Sequence, residues 1–207
     1  MSRVIVAIDG PGGSGKSTVA RGLAARLGWA YLDTGAMYRA VTAEVLRTGL
    51  RLDDEDAIAR LAAACVIATV PRVTINGRDV HEEVRGDAVN AAVSAVAAIP
   101  AVRVAMVARQ RAWADAQPGA VVVEGRDTTT VVFPLATLKV YLTASFTERA
   151  RRRDDEDAGA LGRRDQADAD RPVSPLRRAA GALVIDTTNL SVEAVIEEIQ
   201  SCLRTST

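Results

Sequence analysis

Apolar positions along the chain follow two rhythms. Five short, nearly continuous runs stand out: Val4 to Ile8, Trp29 to Leu32, Val121 to Val123, Leu138 to Leu142 and Leu183 to Asp186. Each is too short for an amphipathic helix, and each reads as a strand buried on both faces of a parallel sheet. Between them the spacing becomes helical. Val19, Ala20, Leu23, Ala24 and Leu27 share a face, and Gly28 closes that segment. Met37, Val41, Val45 and Leu46 mark the buried face of a second helix, and Asp53 is the expected N-cap of a third reaching Ala64. Helical periodicity resumes at Ala88, Pro100 opens a helix to about Ala116, and Val192, Val195, Ile196, Ile199 and Leu203 mark the last. Strands alternating with helices predict an α/β fold with a five-stranded parallel sheet flanked by helices on both faces.

Two stretches depart from this alternation. Residues 66–86 are β-prone around Asn76-Gly77, a hairpin signal, and predict a small β insertion in a region that continues through helices to about residue 116. Residues 148–171 are dense in charge and poor in large apolar groups, and are expected to form a mobile surface segment. No internal repeat is visible, and residues 1–207 are expected to form a single domain.

Composition narrows the function classes. The 207 residues suffice for a real core, and 26 basic side chains balance 26 acidic ones. Zero net charge argues against a nucleic-acid-coating protein and a polybasic membrane anchor. Lys16 and Lys139 are the only lysines; every other base is arginine. Much of that surplus reads as compositional bias, but a planar fork also suits phosphate and carboxylate. Cys65 and Cys202 have no metal-ligand spacing and read as free thiols in a reducing compartment. The apolar run at the N-terminus is too short for a signal peptide or a membrane span, so a cytoplasmic location is expected. His81, the only histidine, falls in the β insertion and is expected at the surface, not as a general base.

The strongest chemical signal is Gly10-Pro11-Gly12-Gly13-Ser14-Gly15-Lys16-Ser17, which fits G-x-x-x-x-G-K-[ST] between a buried strand and a helix. Such a loop turns backbone N–H groups onto phosphate oxygens, and the helix N-terminus adds a favourable dipole. Lys16 is placed to bridge β- and γ-phosphates, and the Ser17 hydroxyl to bind Mg²⁺. No N/T-K-x-D run follows, which disfavours a GTPase switch, and a small phosphotransferase fits better than a motor. Asp33 follows the second strand; it reaches Mg²⁺ through water, orients the acceptor, or caps the next helix. Arg39 either grips an acceptor phosphate or is solvated. Arg126-Asp127 follows the third strand as a surface ion pair, or as an arginine for phosphate beside a carboxylate for an amino-bearing base.

Taken together, Ile8 to Thr18, Tyr31-Leu32-Asp33-Thr34-Gly35-Ala36-Met37-Tyr38-Arg39, Gly125-Arg126-Asp127 with Thr130-Val131-Val132-Phe133-Pro134, Ser94 through Pro100 to Arg103, Arg109-Gln110-Arg111 and Asp186-Thr187-Thr188 closely resemble bacterial cytidylate kinases over essentially the whole chain. The resemblance implies a P-loop kinase core, the β insertion as part of a nucleotide-acceptor region, and a short lid at 148–171. It implies transfer of the ATP γ-phosphoryl group to CMP or dCMP with Mg²⁺; apart from the resemblance, no nucleic-acid or membrane partner is expected, and a monomer is the simplest reading. Gly10 to Thr18 would hold ATP. Residues matching Ser94, Arg103 and Asp127 would recognise cytosine, and Arg39 and Arg126 the CMP phosphate. Arg164 and Arg171 would act from the lid, Asp168 would face the ribose, and Thr34 would lie near the acceptor. Lys16, Arg126, Arg164 and Arg171 are the expected catalytic set. The lid is shorter than is usual in that family, Ala167 and Ala169 replace common arginines, and Thr129 stands at a usual glycine, where a glycine-only backbone would be strained.

Overall fold

The computed structural model describes residues 3–153 and 158–206. Residues 154–157, part of the charge-dense stretch, lie outside the described residues. The strands are β1 (Ile5–Asp9), β2 (Ala30–Asp33), β3 (Ile67–Ala68), β4 (Thr74–Ile75), β5 (Arg78–Asp79), β6 (Val121–Gly125), β7 (Leu138–Thr143) and β8 (Leu183–Asp186). The helices are α1 (Lys16–Leu27), α2 (Thr34–Thr48), α3 (Glu55–Ala64), α4 (Asp87–Ala98), α5 (Pro100–Ala116), α6 (Phe146–Arg151), α7 (Ala158–Asp170) and α8 (Val192–Ser206). The chain divides into two compact units, Met1–Leu32 with Ala114–Thr207, and Asp33–Trp113.

The first unit carries the expected five-stranded sheet, in the order β2-β6-β1-β7-β8. Central β1 pairs in parallel with β6, Asp9 opposite Gly125, and with β7, Asp9 opposite Tyr141. Crossover helices are what such parallel pairing demands. One face is sealed by α1 and α8: Val19, Leu23, Val195, Ile196 and Ile199 pack on Val6, Ile8, Val122, Val140 and Leu142. Fully burying each large aliphatic side chain contributes about 1.5–3 kcal/mol. Gly28, left-handed at φ 67, ends α1 with its N–H on the Ala24 and Ala25 carbonyls. Chain order reverses around β1, so the loop after it lies at the switch point where such sheets bind ligands.

The second unit is helical, with a three-stranded sheet β3-β4-β5. Asn76 (φ 50) and Gly77 (φ 79) make the β4–β5 turn that their identities predict. The insertion holds less strand than expected: each strand is two residues long, and a 3₁₀ turn occupies Glu83–Arg85. A cluster of Ala36, Ala40, Cys65, Val73, Ile75, Val80 and Val84 packs it onto α2. Asp54, not Asp53, caps α3 by accepting from Ala57 N, because Asp53 is paired with Arg51. Leu46 is 37% exposed and falls off the buried face of α2. His81 is half-buried, its Nδ1 accepting from Val73 N.

The charge-dense stretch, expected at the surface, is in part buried. Its described residues form α6 and α7, and Leu161, Arg164 and Asp168 of α7 are buried. Ser145 caps α6 by accepting from Glu148 N. Glu148, paired with Arg151 and Arg152, is held down to about 2, chiefly by its hydrogen bond from Arg151.

Candidate active site

The P-loop lies between β1 and α1, as its spacing requires. At Gly13 (φ 73) an added Cβ would stand 2.5 Å from the Arg149 carbonyl oxygen, so only glycine fits. The buried Ser14 hydroxyl has no hydrogen-bond partner among the described residues, as expected of a group reserved for a phosphate oxygen. Lys16 is buried, and its Nζ donates to the Pro11 carbonyl (2.8 Å). Burial and the nearby Arg126 charge lower its pKa to about 7, although Glu124, Asp165 and Asp9 oppose the shift.

Ser17 Oγ donates to Glu124 Oε1 (2.6 Å), and Tyr31 OH to the same oxygen (3.3 Å). Glu124 is buried at the end of β6. Nothing local in the sequence marks Glu124, because its partner Ser17 lies more than a hundred residues away in the chain. Hydroxyl and carboxylate oxygens are the hard donors that suit Mg²⁺. Among the described residues there is no group of three or more His, Cys, Asp or Glu side chains arranged to hold a metal. A metal here would therefore need oxygens from the nucleotide as well.

Helix α7 packs directly on the loop. Leu161, Arg164 and Asp165 crowd Gly12, and Gly12 N donates to Asp165 Oδ1 (2.9 Å). Arg149 reaches the Gly12 carbonyl (3.0 Å) and pairs with Asp165. Arg126 donates from Nη1 to the Gly10 carbonyl (3.1 Å) and from Nε to Asp168 Oδ2 (2.9 Å), while Arg171 pairs with the other Asp168 oxygen. Burial alone would raise the Asp168 pKa, but the Arg126 and Arg171 guanidiniums outweigh it and leave it lowered. The structure thus gathers Lys16, Ser17, Arg126, Arg164, Asp168 and Arg171 in one unit. Arg152 donates to Thr187 and lies beside Gly15.

Behind Arg126 and Asp127, a short π-helical turn, Thr128–Val132, is anchored on Asp9. Thr129 has no positive φ, so the strain expected from replacing a glycine does not arise. Burial raises the Asp9 pKa, and hydrogen bonds from Thr128 and Thr129 hold the rise back.

The remaining predicted site residues lie in the second unit. Asp33 caps α2, accepting from Ala36 N (2.8 Å), and Thr34 is buried at the start of that helix. Arg39 is not solvated: it donates to the Val84 carbonyl (2.7 Å) and Asn90 Oδ1 (2.8 Å). Arg103 is buried, donates to the Ala97 carbonyl (3.0 Å) and stacks 5.1 Å from the Tyr38 ring centre. Ser94 is half-buried on α4.

Comparisons with known proteins converge. The chain is 48% identical to a cytidylate kinase of Mycobacterium avium, over 97% of this chain and 95% of that one. It is 47% identical to a cytidylate kinase of Geobacillus kaustophilus, over 95% of each. Among solved structures, a shikimate kinase from Acinetobacter baumannii in complex with shikimate shares the fold, with a TM-score of 0.52, 15% identity and coverage of 99% of this chain and 94% of that one. The sequence pattern of cytidylate kinases matches residues 6–205, and the chain belongs to the cytidylate kinase family.

Proposed function

We infer that the chain transfers the γ-phosphoryl group of ATP to CMP or dCMP, giving CDP or dCDP and ADP. The observation that carries this is a family match spanning residues 6–205 with an intact P-loop between β1 and α1. An acceptor phosphate oxygen attacks the γ-phosphorus in line, and the bond to the β-phosphate bridging oxygen breaks. The protein's work is positioning, charge neutralisation and exclusion of water.

Gly10 to Thr18 hold the ATP phosphates, with Gly12 N–H and Lys16 as donors. Ser17 would hold Mg²⁺ with Glu124 behind it, and Asp33 would contribute through water. Bound there, the metal would supply charge neutralisation for the transferred phosphate. Arg126, Arg164 and Arg171 offset charge on the transferring group, and Arg126 also takes the CMP phosphate together with Arg39. Ser94, Arg103 and Asp127 read cytosine, the Asp127 carboxylate accepting from the exocyclic amine. Asp168 meets the ribose and Thr34 the acceptor. CMP, dCMP and ATP are the partners of a cytoplasmic monomer. Among the described residues no single helix is long and apolar enough to cross a membrane.

A coupled ADP-release assay over CMP, dCMP, UMP, AMP and shikimate tests the reading. Cytidine nucleotides are expected to be the best acceptors; a better rate with any other acceptor overturns it.

A further inference from the structure

Asp9 ends β1 and is fully buried, yet it contributes no atom to the phosphate-transfer chemistry above. Its carboxylate accepts hydrogen bonds from two consecutive residues, one oxygen for each. Oδ1 takes Thr128 N (2.9 Å) and Thr128 Oγ1 (2.5 Å). Oδ2 takes Thr129 N (2.7 Å) and Thr129 Oγ1 (2.6 Å). An acceptor-only group matched to four donors is the arrangement an ionised carboxylate satisfies best, and burial makes each unmade bond costly.

The connectivity gives the clamp a purpose. β6 ends at Gly125, which pairs with Asp9 across the sheet. The chain then spans two residues, Arg126 and Asp127, before its next two N–H groups land on the Asp9 carboxylate. Those two residues are therefore pinned at both ends by one side chain and one strand pair. The turn is closed on its own side by Val131 N and Val132 N, which donate to the Asp127 carbonyl (2.9 and 3.2 Å). Both threonine hydroxyls serve the clamp, and Thr129 supplies one that glycine would lack.

We propose that Asp9, through Thr128 and Thr129, is a positioning residue for acceptor recognition, fixing Arg126 and Asp127 for the CMP phosphate and base. This rests on the reading of Arg126 and Asp127 as acceptor-binding residues. Loosening the clamp moves the acceptor constants and leaves the P-loop amides in place. A hydroxyl lost from a charged acceptor is expected to raise KM for CMP by about fivefold or more.

The test is a KM and kcat series with CMP and UMP as acceptors and ATP as donor, on Thr128→Val, Thr129→Val, Thr129→Ser and Asp127→Ala. Both valine variants are expected to raise KM for CMP and narrow the preference for CMP over UMP. KM for ATP should stay within twofold, and Thr129→Ser should restore wild-type values. Equal movement of the ATP and CMP constants, or no movement of either, overturns the proposal, since a general scaffold role predicts no split. Failure of Thr129→Ser to rescue also overturns it. Asp127→Ala separates the two levels of inference. If it spares the CMP constants and base preference, the acceptor reading itself fails. If it damages them while the valine variants do not, only the positioning role fails.

Discussion

ATP binding is expected to draw a proton onto Lys16. In the unliganded protein its pKa is lowered to about 7, first by burial and then by the Arg126 charge. Phosphate oxygens beside it favour the ammonium, so the bound-state pKa returns towards the ordinary lysine range. The sign follows from linkage: binding takes up protons, so affinity falls as pH rises above the free-state value. At pH 8 a group of pKa about 7 is roughly 90% neutral, so binding should take up about 0.9 proton per site. Between pH 7 and 9 its charged fraction drops from about one half to about one hundredth, weakening ATP binding by about 50-fold. The nucleotide's terminal phosphate, with a pKa of about 6, stays ionised throughout and does not mask the effect. Titration calorimetry in HEPES and in Tris at pH 8 reads the uptake as a buffer-dependent enthalpy. Lys16→Arg, which keeps its charge over this range, should bind more weakly but with a flat profile. A pH-independent Kd from 7 to 9 in the parent protein, or the same slope in Lys16→Arg, would refute the reasoning.

Three further outcomes are expected. Gly13→Ala, which must place a Cβ 2.5 Å from a backbone carbonyl at a φ of 73, should lower Tm and weaken ATP binding by about tenfold or more, read by thermal melting and calorimetry. Ile199→Ala empties a fully buried position between α8 and the sheet and should cost about 2–5 kcal/mol in urea unfolding, with the m-value unchanged. Chelator should abolish turnover and Mg²⁺ restore it, while Ser17→Ala should raise the Mg²⁺ concentration for half-maximal rate because it removes the hydroxyl partnered by Glu124.

The elements that could be read from the chain were those whose signal is local. Apolar runs marked all five sheet strands to within about two residues, and Asn76-Gly77 marked a turn whose two positive φ angles those residues tolerate. Gly28 ended α1 for the same local reason. What escaped was decided by partners distant in sequence. Leu161, Arg164, Asp165, Asp168 and Arg171 recur at helical spacing, yet four of the five are charged, so the pattern looked like a solvated surface. Asp165 meets the Gly12 amide and Arg149, and Asp168 meets Arg126 and Arg171, so the stripe is sheltered by partners far along the chain as well as within it. Thr129 looked strained against a glycine and instead bonds to Asp9, more than a hundred residues away in sequence. The cap of α3 fell on Asp54, one residue past the expected Asp53, which is paired with Arg51.

The carboxylate of Asp165 on the Gly12 amide sets the terms on which an incoming anion competes. Being part of the same chain, it acts as a ligand at an effective concentration of millimolar order or higher. A lone inorganic phosphate, touching only the loop amides, meets a rival that never diffuses away. A nucleoside triphosphate, on the reading proposed above, would engage the loop, Lys16 and the surrounding arginines at once, and so would compete better than a single phosphate. Any anion seated at Gly12 must first part Asp165 from that amide, and Arg149, already paired with Asp165, is at hand to hold the carboxylate once it leaves.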